Sequence, residues 1–205
     1  MLSIIETRTG NIRSVINAFN KLGVDTKVIS DPKGLAVATA IVLPGVGAFE
    51  HAMEHLNETG MADALRRRSA DNVPILGICL GMQLLGDYSE EHGKHNGLGL
   101  IPGKIIRLPD TDGPCRVPNI GWHETTPTGN GRLFTGRPTA SFYYVHSYYF
   151  VCETPAHGAA TFDYCGVTVN GAVERGNVYG VQFHPEKSQD DGLDLLSAFI
   201  EKIQI

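Results

Sequence analysis

The chain predicts an α/β fold, a single domain with a mixed, mostly parallel central sheet flanked by helices and a sharp nucleophile-elbow turn. Three observations predict it. Short apolar runs alternate with helix-like stretches over the first 85 or so residues. One of those runs, PILGIC, ends in a Gly-X-Cys-X-Gly turn. The second half switches to short β-branched and aromatic runs separated by Gly, Pro and Asn.

The elements follow in order. LSII (2–5) reads as a buried strand. Ile12, Val15, Ile16, Phe19 and Leu22 recur at helical spacing, and Gly23 stops the helix. KVIS (27–30) and AIVLPG (40–45) are the next strands, the latter ending in Pro-Gly. One helix is expected from about Phe49 to Arg68, and PILGIC (74–79) is a fourth strand. Beyond it, GKIIRL, FYYVHSYYF, AATFDY, GVTVNG and VYGVQF read as mostly antiparallel strands, joined to the same sheet or packed beside it. Leu193, Leu196, Phe199, Ile200 and Ile203 mark an amphipathic closing helix. No repeat, low-complexity tract or linker divides residues 1–205.

Composition narrows the function. The chain has 205 residues, 42% of them hydrophobic, enough for one sizeable core. Twenty-two acidic residues against 17 basic ones give a net charge of -5 with no basic stripe, which argues against nucleic acid. No run approaches the roughly 18 apolar residues of a membrane span. The start MLSIIETRTG lacks the charged region and apolar run of a signal peptide, so a cytoplasmic location is expected. The four cysteines, Cys79, Cys115, Cys152 and Cys165, show no C-x-x-C pair, and their thiols are expected to stay reduced. Cys115, Cys152 and Cys165 read as small buried hydrophobes.

Cys79 reads differently. In open α/β sheets, ligands sit at the C-terminal ends of the parallel strands. Two such ends carry unusual chemistry, Pro44-Gly45-Val46-Gly47 and Gly77-Ile78-Cys79-Leu80-Gly81. Glycines two before and two after the corner remove Cβ clashes, so the corner side chain stands above the sheet. The helix beginning near Leu80 turns its first amides toward the sulfur, which favours thiolate. The Leu80 amide can also face an oxyanion formed by attack at Cys79. A base is available at the end of VYGVQF, where His184 is followed by Pro185 and Glu186. Residues i and i+2 of an extended segment face the same side, so Glu186 can orient His184. Cys79, His184 and Glu186 then supply a thiol nucleophile, a proton shuttle and an orienting carboxylate. No second histidine stands at ligand spacing near His184, and neither a metal nor a cofactor is expected.

G-I-C-L-G-M-Q with a distant F-H-P-E resembles the class I (triad) glutamine amidotransferases. Further segments resemble the glutaminase subunit of imidazole glycerol phosphate synthase: Thr9 through Val15, Pro44 through Phe49, Gly97 through Gly103, Tyr144 through Tyr149, and Gly180 through Ser188. They span the chain nearly end to end, in family order. The resemblance implies that Cys79 attacks the side-chain amide of glutamine, that His184 passes a proton to the leaving ammonia, and that water releases glutamate from a thioester. It implies an oxyanion site at the amides of Val46 and Leu80, with glycines around Val46 easing a peptide rearrangement. Gly45, Gly47, Gln83, Glu91, Ser147 and Tyr148 carry over as contacts to glutamine, Glu91 receiving the α-amino group.

The resemblance further implies a separate partner, a (β/α)₈ barrel cyclase that takes ammonia and makes imidazole glycerol phosphate and an aminoimidazole carboxamide ribotide in histidine biosynthesis. Such a barrel needs about 250 residues, more than this chain has, so a heterodimer is expected. Lys187, Asn11, Asn119, Trp122 and His123 fall where the family meets its partner or gates the site. Two departures stand out. Glu6-Thr7-Arg8 replaces the family's usual Asp-Tyr-Gly, and Pro118-Asn119-Ile120-Gly121-Trp122-His123 replaces Pro-His-(Met or Ile)-Gly-Trp-Asn. They leave open a glutaminase that feeds another synthase, such as one amidating sugars for surface polysaccharides. A cysteine hydrolase or peptidase with the same elbow is the other alternative.

Overall fold

The computed structural model describes residues 1–7, 12–109 and 115–203. In chain order the elements are β1 (Leu2–Ile5), α1 (Ile12–Lys21), β2 (Thr26–Ile29), α2 (Pro32–Ala36), β3 (Ala40–Gly45), α3 (Phe49–Glu58), α4 (Met61–Ala70), β4 (Ile75–Cys79) and α5 (Leu80–Leu84). They continue with β5 (Tyr88–Ser89), β6 (His95–Asn96), β7 (Gly103–Arg107), β8 (Asn119–Pro127), β9 (Ala140–His146), β10 (Tyr148–Cys152), β11 (Gly158–Tyr164), β12 (Val167–Arg175), β13 (Val178–Val181) and α6 (Gln189–Ile203).

The strands form a nine-stranded sheet in the order β2-β1-β3-β4-β13-β12-β11-β8-β9. Its first five strands pair in parallel and the rest antiparallel. A second sheet, β10-β7-β5-β6, lies apart from it. The inner parallel strands β1, β3, β4 and β13 are buried along their whole length, which is why they read as unbroken apolar runs, whereas β2 at the edge is largely uncovered. Along β3, Ala40 and Val42 join the core that holds Phe19 of α1 and Phe199 of α6, while Ile41 and Leu43 join the core under α2, α3 and α4.

Four expectations need correction. The helix expected over Phe49 to Arg68 is two helices, broken at Thr59 and Gly60. Gly60 takes φ 73, and the Thr59 hydroxyl donates to the His55 carbonyl at 2.7 Å, closing α3. FYYVHSYYF is not one strand. It crosses from the first sheet to the second at Ser147, between β9 and β10. Glu186 does not follow His184 along an extended segment. It sits in the single 3₁₀ turn Pro185–Lys187, which folds its carboxylate back onto the ring. Finally, Cys115 and Cys165 are not separate reduced thiols but a disulfide, their Cα atoms 6.2 Å apart. The tight turn after β11, with Cys165 at φ 55, brings the two together across 50 residues. Cys152 stays free, and burial pushes its thiol up to about 12.

Among the described residues, no helix is long and apolar enough to cross a membrane.

Candidate active site

The site stands at the C-terminal ends of β3, β4 and β13. Cys79 is the last residue of β4 and caps α5, with φ 56 and ψ -113. That conformation is costly for a residue with a side chain, and close packing on both sides holds it in place. A Cβ on Gly77 would fall 2.6 Å from the Gly81 carbonyl oxygen, and a Cβ on Gly81 would fall 1.8 Å from that of Leu43. The two glycines therefore let β4, α5 and β3 touch backbone to backbone. Because α5 is five residues long, the sulfur meets one turn of amides rather than a long helix dipole.

His184 and Glu186 meet this sulfur from β13. The His184 amide donates to the Tyr143 carbonyl at 2.9 Å, and its own carbonyl accepts from the Ser188 hydroxyl at 2.7 Å, which fixes the backbone. Nδ1 of His184 donates to Glu186 Oε1 at 2.9 Å, leaving Nε2 for the hydrogen bond with Cys79. The side chains of His184 and Glu186 are 6% and 4% exposed. Burial opposes charge on this imidazole. The hydrogen bonds to Cys79 and Glu186 and their negative charge outweigh it and push the pKa up to about 10. The raised pKa favours a protonated ring beside the Cys79 sulfur, the arrangement a proton donor needs.

A cavity of about 300 Å³ opens over the sulfur. Cys79, His184, Val46, Gly47, Leu80, Gln83, Glu91, Ser147, Tyr148 and Lys187 all line it. Gly45 lies beneath the wall, paired with Cys79 in the β3–β4 register, and a Cβ there would press on Leu80 at 3.1 Å. Glu91 is held at the rim, where its Oε2 accepts from the Phe49 amide at 2.7 Å. That bond occupies one of the carboxylate's several acceptor positions. Asn119, Trp122 and His123 do not reach this cavity. They line a second one, of about 610 Å³, with Pro118 common to both. Asn11 lies outside the described residues, as do Arg8 to Gly10. Of the first departure, Thr7 is buried and donates to the Pro44 carbonyl at 3.3 Å.

Sequence reasoning missed Gln182 and His146. Gln182 Nε2 donates to the Cys79 sulfur at 3.9 Å, and its Oε1 accepts from Gln83 Nε2 at 3.0 Å. The two-residue spacing that places His184 beside the sulfur was also available for Gln182. His146 is buried. Burial lowers its pKa to about 4, against the hydrogen bond from Nδ1 to the Tyr148 carbonyl at 2.9 Å, which raises it. The folded ring binds a proton only near pH 4, whereas the unfolded ring binds one below about 6.5. Between these values folding expels a proton, so stability falls as pH drops. Wild type should lose about 3 kcal/mol more than His146→Gln between pH 7 and 4, as read from denaturant unfolding.

The Asn119–His123 exchange also has a geometry. His123 Nε2 bonds Asn119 Oδ1 at 2.7 Å, so the ring and amide that stand exchanged relative to the family pattern contact each other.

A family model described as glutamine amidotransferase class-I matches residues 3–203. The chain is 43% identical over 206 residues to the imidazole glycerol phosphate synthase subunit HisH of Bdellovibrio bacteriovorus, covering 98% of this chain and 100% of that one. It is 44% identical over 204 residues to the protein of that name from Methanothermobacter thermautotrophicus, covering 100% of both. Among solved structures, a glutamine amidotransferase superposes with a TM-score of 0.78 over 99% of both chains at 19% identity. The structure of PurLQS from Thermotoga maritima gives 0.75 over 98% of both at 17%. At these identities the structural likeness is one of fold. The family model spans nearly the whole chain and the relatives cover it end to end: this protein belongs to the class-I glutamine amidotransferases.

Proposed function

We propose that this chain, one domain from residue 1 to 205, is the glutaminase subunit of an imidazole glycerol phosphate synthase, working in the cytoplasm in histidine biosynthesis. The observation that carries the chemistry is the assembly of Cys79, His184 and Glu186 under one cavity whose rim holds Glu91. The relatives' shared name carries the pathway.

Glutamine enters with its ammonium on Glu91 and its carboxylate against Gly47 and the backbone of Ser147 and Tyr148, and Gln83 contacts the bound molecule. The Cys79 sulfur attacks the side-chain amide carbon. The amides of Val46 and Leu80 receive the oxyanion. His184 gives its Nε2 proton to the amide nitrogen, the C–N bond breaks and ammonia leaves. A γ-glutamyl thioester remains on Cys79. Neutral His184 then takes a proton from water as the water attacks the thioester, the C–S bond breaks and glutamate departs. Glu186 keeps Nδ1 protonated and the ring in register throughout.

Free ammonia in neutral water becomes unreactive ammonium, so it must pass directly to its acceptor. We assign that role to a (β/α)₈ barrel cyclase docked as a heterodimer over Lys187 and the face bearing Trp122 and Ile120, which are 46% and 61% exposed. Glutamate release from glutamine is the test, measured for the protein alone and then with the cyclase barrel and its phosphoribosyl ligand. Activity that rises steeply with both supports the reading. Activity that ignores this barrel but rises with a sugar-amidating synthase would reassign the acceptor.

Glu91→Gln removes the charge that receives the ammonium. The KM for glutamine should rise between about tenfold and a hundredfold with kcat little changed, the scale of a lost charge-assisted hydrogen bond.

A further inference from the structure

Outside the triad, one set of polar side chains runs unbroken from the second cavity to the glutamine cavity. Each donor and acceptor in it is fixed by its neighbour. The Tyr148 carbonyl can only accept, so His146 Nδ1, 2.9 Å away, carries the hydrogen. Neutral at the pH where the enzyme works, His146 then has a bare Nε2 that must receive a hydrogen bond. Asn119 Nδ2 supplies it at 3.1 Å. That orients the amide so that Asn119 Oδ1 faces His123 Nε2 at 2.7 Å, which donates to it. The Tyr148 carbonyl also accepts from Gln83 Nε2 at 3.0 Å. Gln83 continues to Gln182, and Gln182 to the Cys79 sulfur. Asn119 and His146 are 2% and 6% exposed, so water cannot readily replace a lost partner.

The register explains why these residues meet. Asn119 and His146 are directly opposed at the start of β8 and the end of β9. One residue later the chain leaves the nine-stranded sheet at Ser147 and enters β10 of the other. His146 reaches over that crossing to Tyr148, two residues on, and Ser147 and Tyr148 form part of the glutamine wall.

We propose that Asn119 is a positioning residue for glutamine binding: through the His146 ring it sets the Ser147–Tyr148 crossing that forms one wall of the glutamine cavity, and His123 anchors it from the second cavity. The proposal rests on the glutaminase reading above. Turning the Asn119 amide over would set its oxygen against the bare Nε2 of His146, so a single orientation holds the chain. In the glutaminase reading the crossing meets the amino-acid end of glutamine, and the Cys79 sulfur is hydrogen-bonded independently, to the Val145 carbonyl at 3.8 Å, so losing Asn119 acts on binding more than on chemistry.

Asn119→Leu keeps the branched shape and removes both hydrogen bonds. The KM for glutamine should rise at least about tenfold, with kcat falling less than threefold and iodoacetamide still reacting with Cys79 at the wild-type rate. A merely structural role would lower the folded fraction, and with it kcat, but leave KM where it was. A neutral imidazole, like a carboxamide, can donate on one side and accept on the other. The double exchange N119H with H123N should therefore bring KM back to within about threefold of wild type, while N119H alone stays impaired. This pair decides the matter if Asn119→Leu does not fold. An unmoved KM in folded Asn119→Leu, or a double exchange no better than N119H, would overturn the proposal. Wild-type protein that releases no glutamate, alone or with the cyclase barrel, would overturn the glutaminase reading and this proposal with it.

Discussion

Cys79→Ala is expected to abolish glutamate release, lowering kcat by about six orders of magnitude or to the assay floor, the scale on which losing the nucleophile of a triad acts. The reason is local. His184 and Glu186 remain in place because their positions depend on Tyr143, Ser188 and the 3₁₀ turn rather than on the sulfur. Without the sulfur no thioester forms, and the remaining groups can only polarise glutamine toward water. Folding should change little, because alanine fills most of the same buried space. The variant should still bind glutamine, since Glu91, Gln83 and the Ser147–Tyr148 backbone stay where they are, and calorimetry can measure that binding. Residual turnover within a hundredfold of wild type would mean that another group attacks the amide.

Gly81→Ala is the second large effect, and it acts through the backbone. The added methyl would sit 1.8 Å from the Leu43 carbonyl oxygen and 2.9 Å from its carbon. No rotamer relieves a Cβ, so α5 must move off β3 and take the Leu80 amide and the Cys79 corner with it. We expect a loss of about 3 kcal/mol or more, the upper range for overpacking, and a fall in Tm of roughly 6–12 °C for a chain of this size. Glutaminase activity should fall even where the variant is still folded, because the oxyanion donor moves with the helix. Unfolding in urea gives the first quantity and glutamate release at low temperature the second. A variant within about 1 kcal/mol of wild type would show that α5 can shift freely, contrary to the packing described here.

These two positions were legible in the sequence for one physical reason. A strand that turns straight into a helix needs glycine at fixed offsets, and that requirement is written locally in Gly77-Ile78-Cys79-Leu80-Gly81. Of the first four strands, β1, β3 and β4 were legible because burial on both faces makes them continuous apolar runs. His184 and Glu186 do hydrogen-bond to each other, but a 3₁₀ turn and not strand alternation joins them. Other features depend on distant partners. FYYVHSYYF has no local break, and only the separation of the two sheets divides it at Ser147. The bond between Asn119 and His146 follows from the β8–β9 register, and the Cys115–Cys165 pair from the turn after β11, across 50 residues. Gln182 could have been found by its spacing from His184. His146 could not, because only its burial and its reach to Tyr148 distinguish it from the other histidines.

The central claim is that Cys79 carries the glutamyl group. It is tested most directly by mixing the protein, with its cyclase barrel, with glutamine, quenching in acid during turnover, and mapping the modified peptide by mass spectrometry. The account predicts a γ-glutamyl adduct on the peptide that contains Cys79, and none on Cys152. Rapid glutamate release with no adduct at Cys79, under conditions where a stabilised acyl-enzyme control survives the quench, would contradict it.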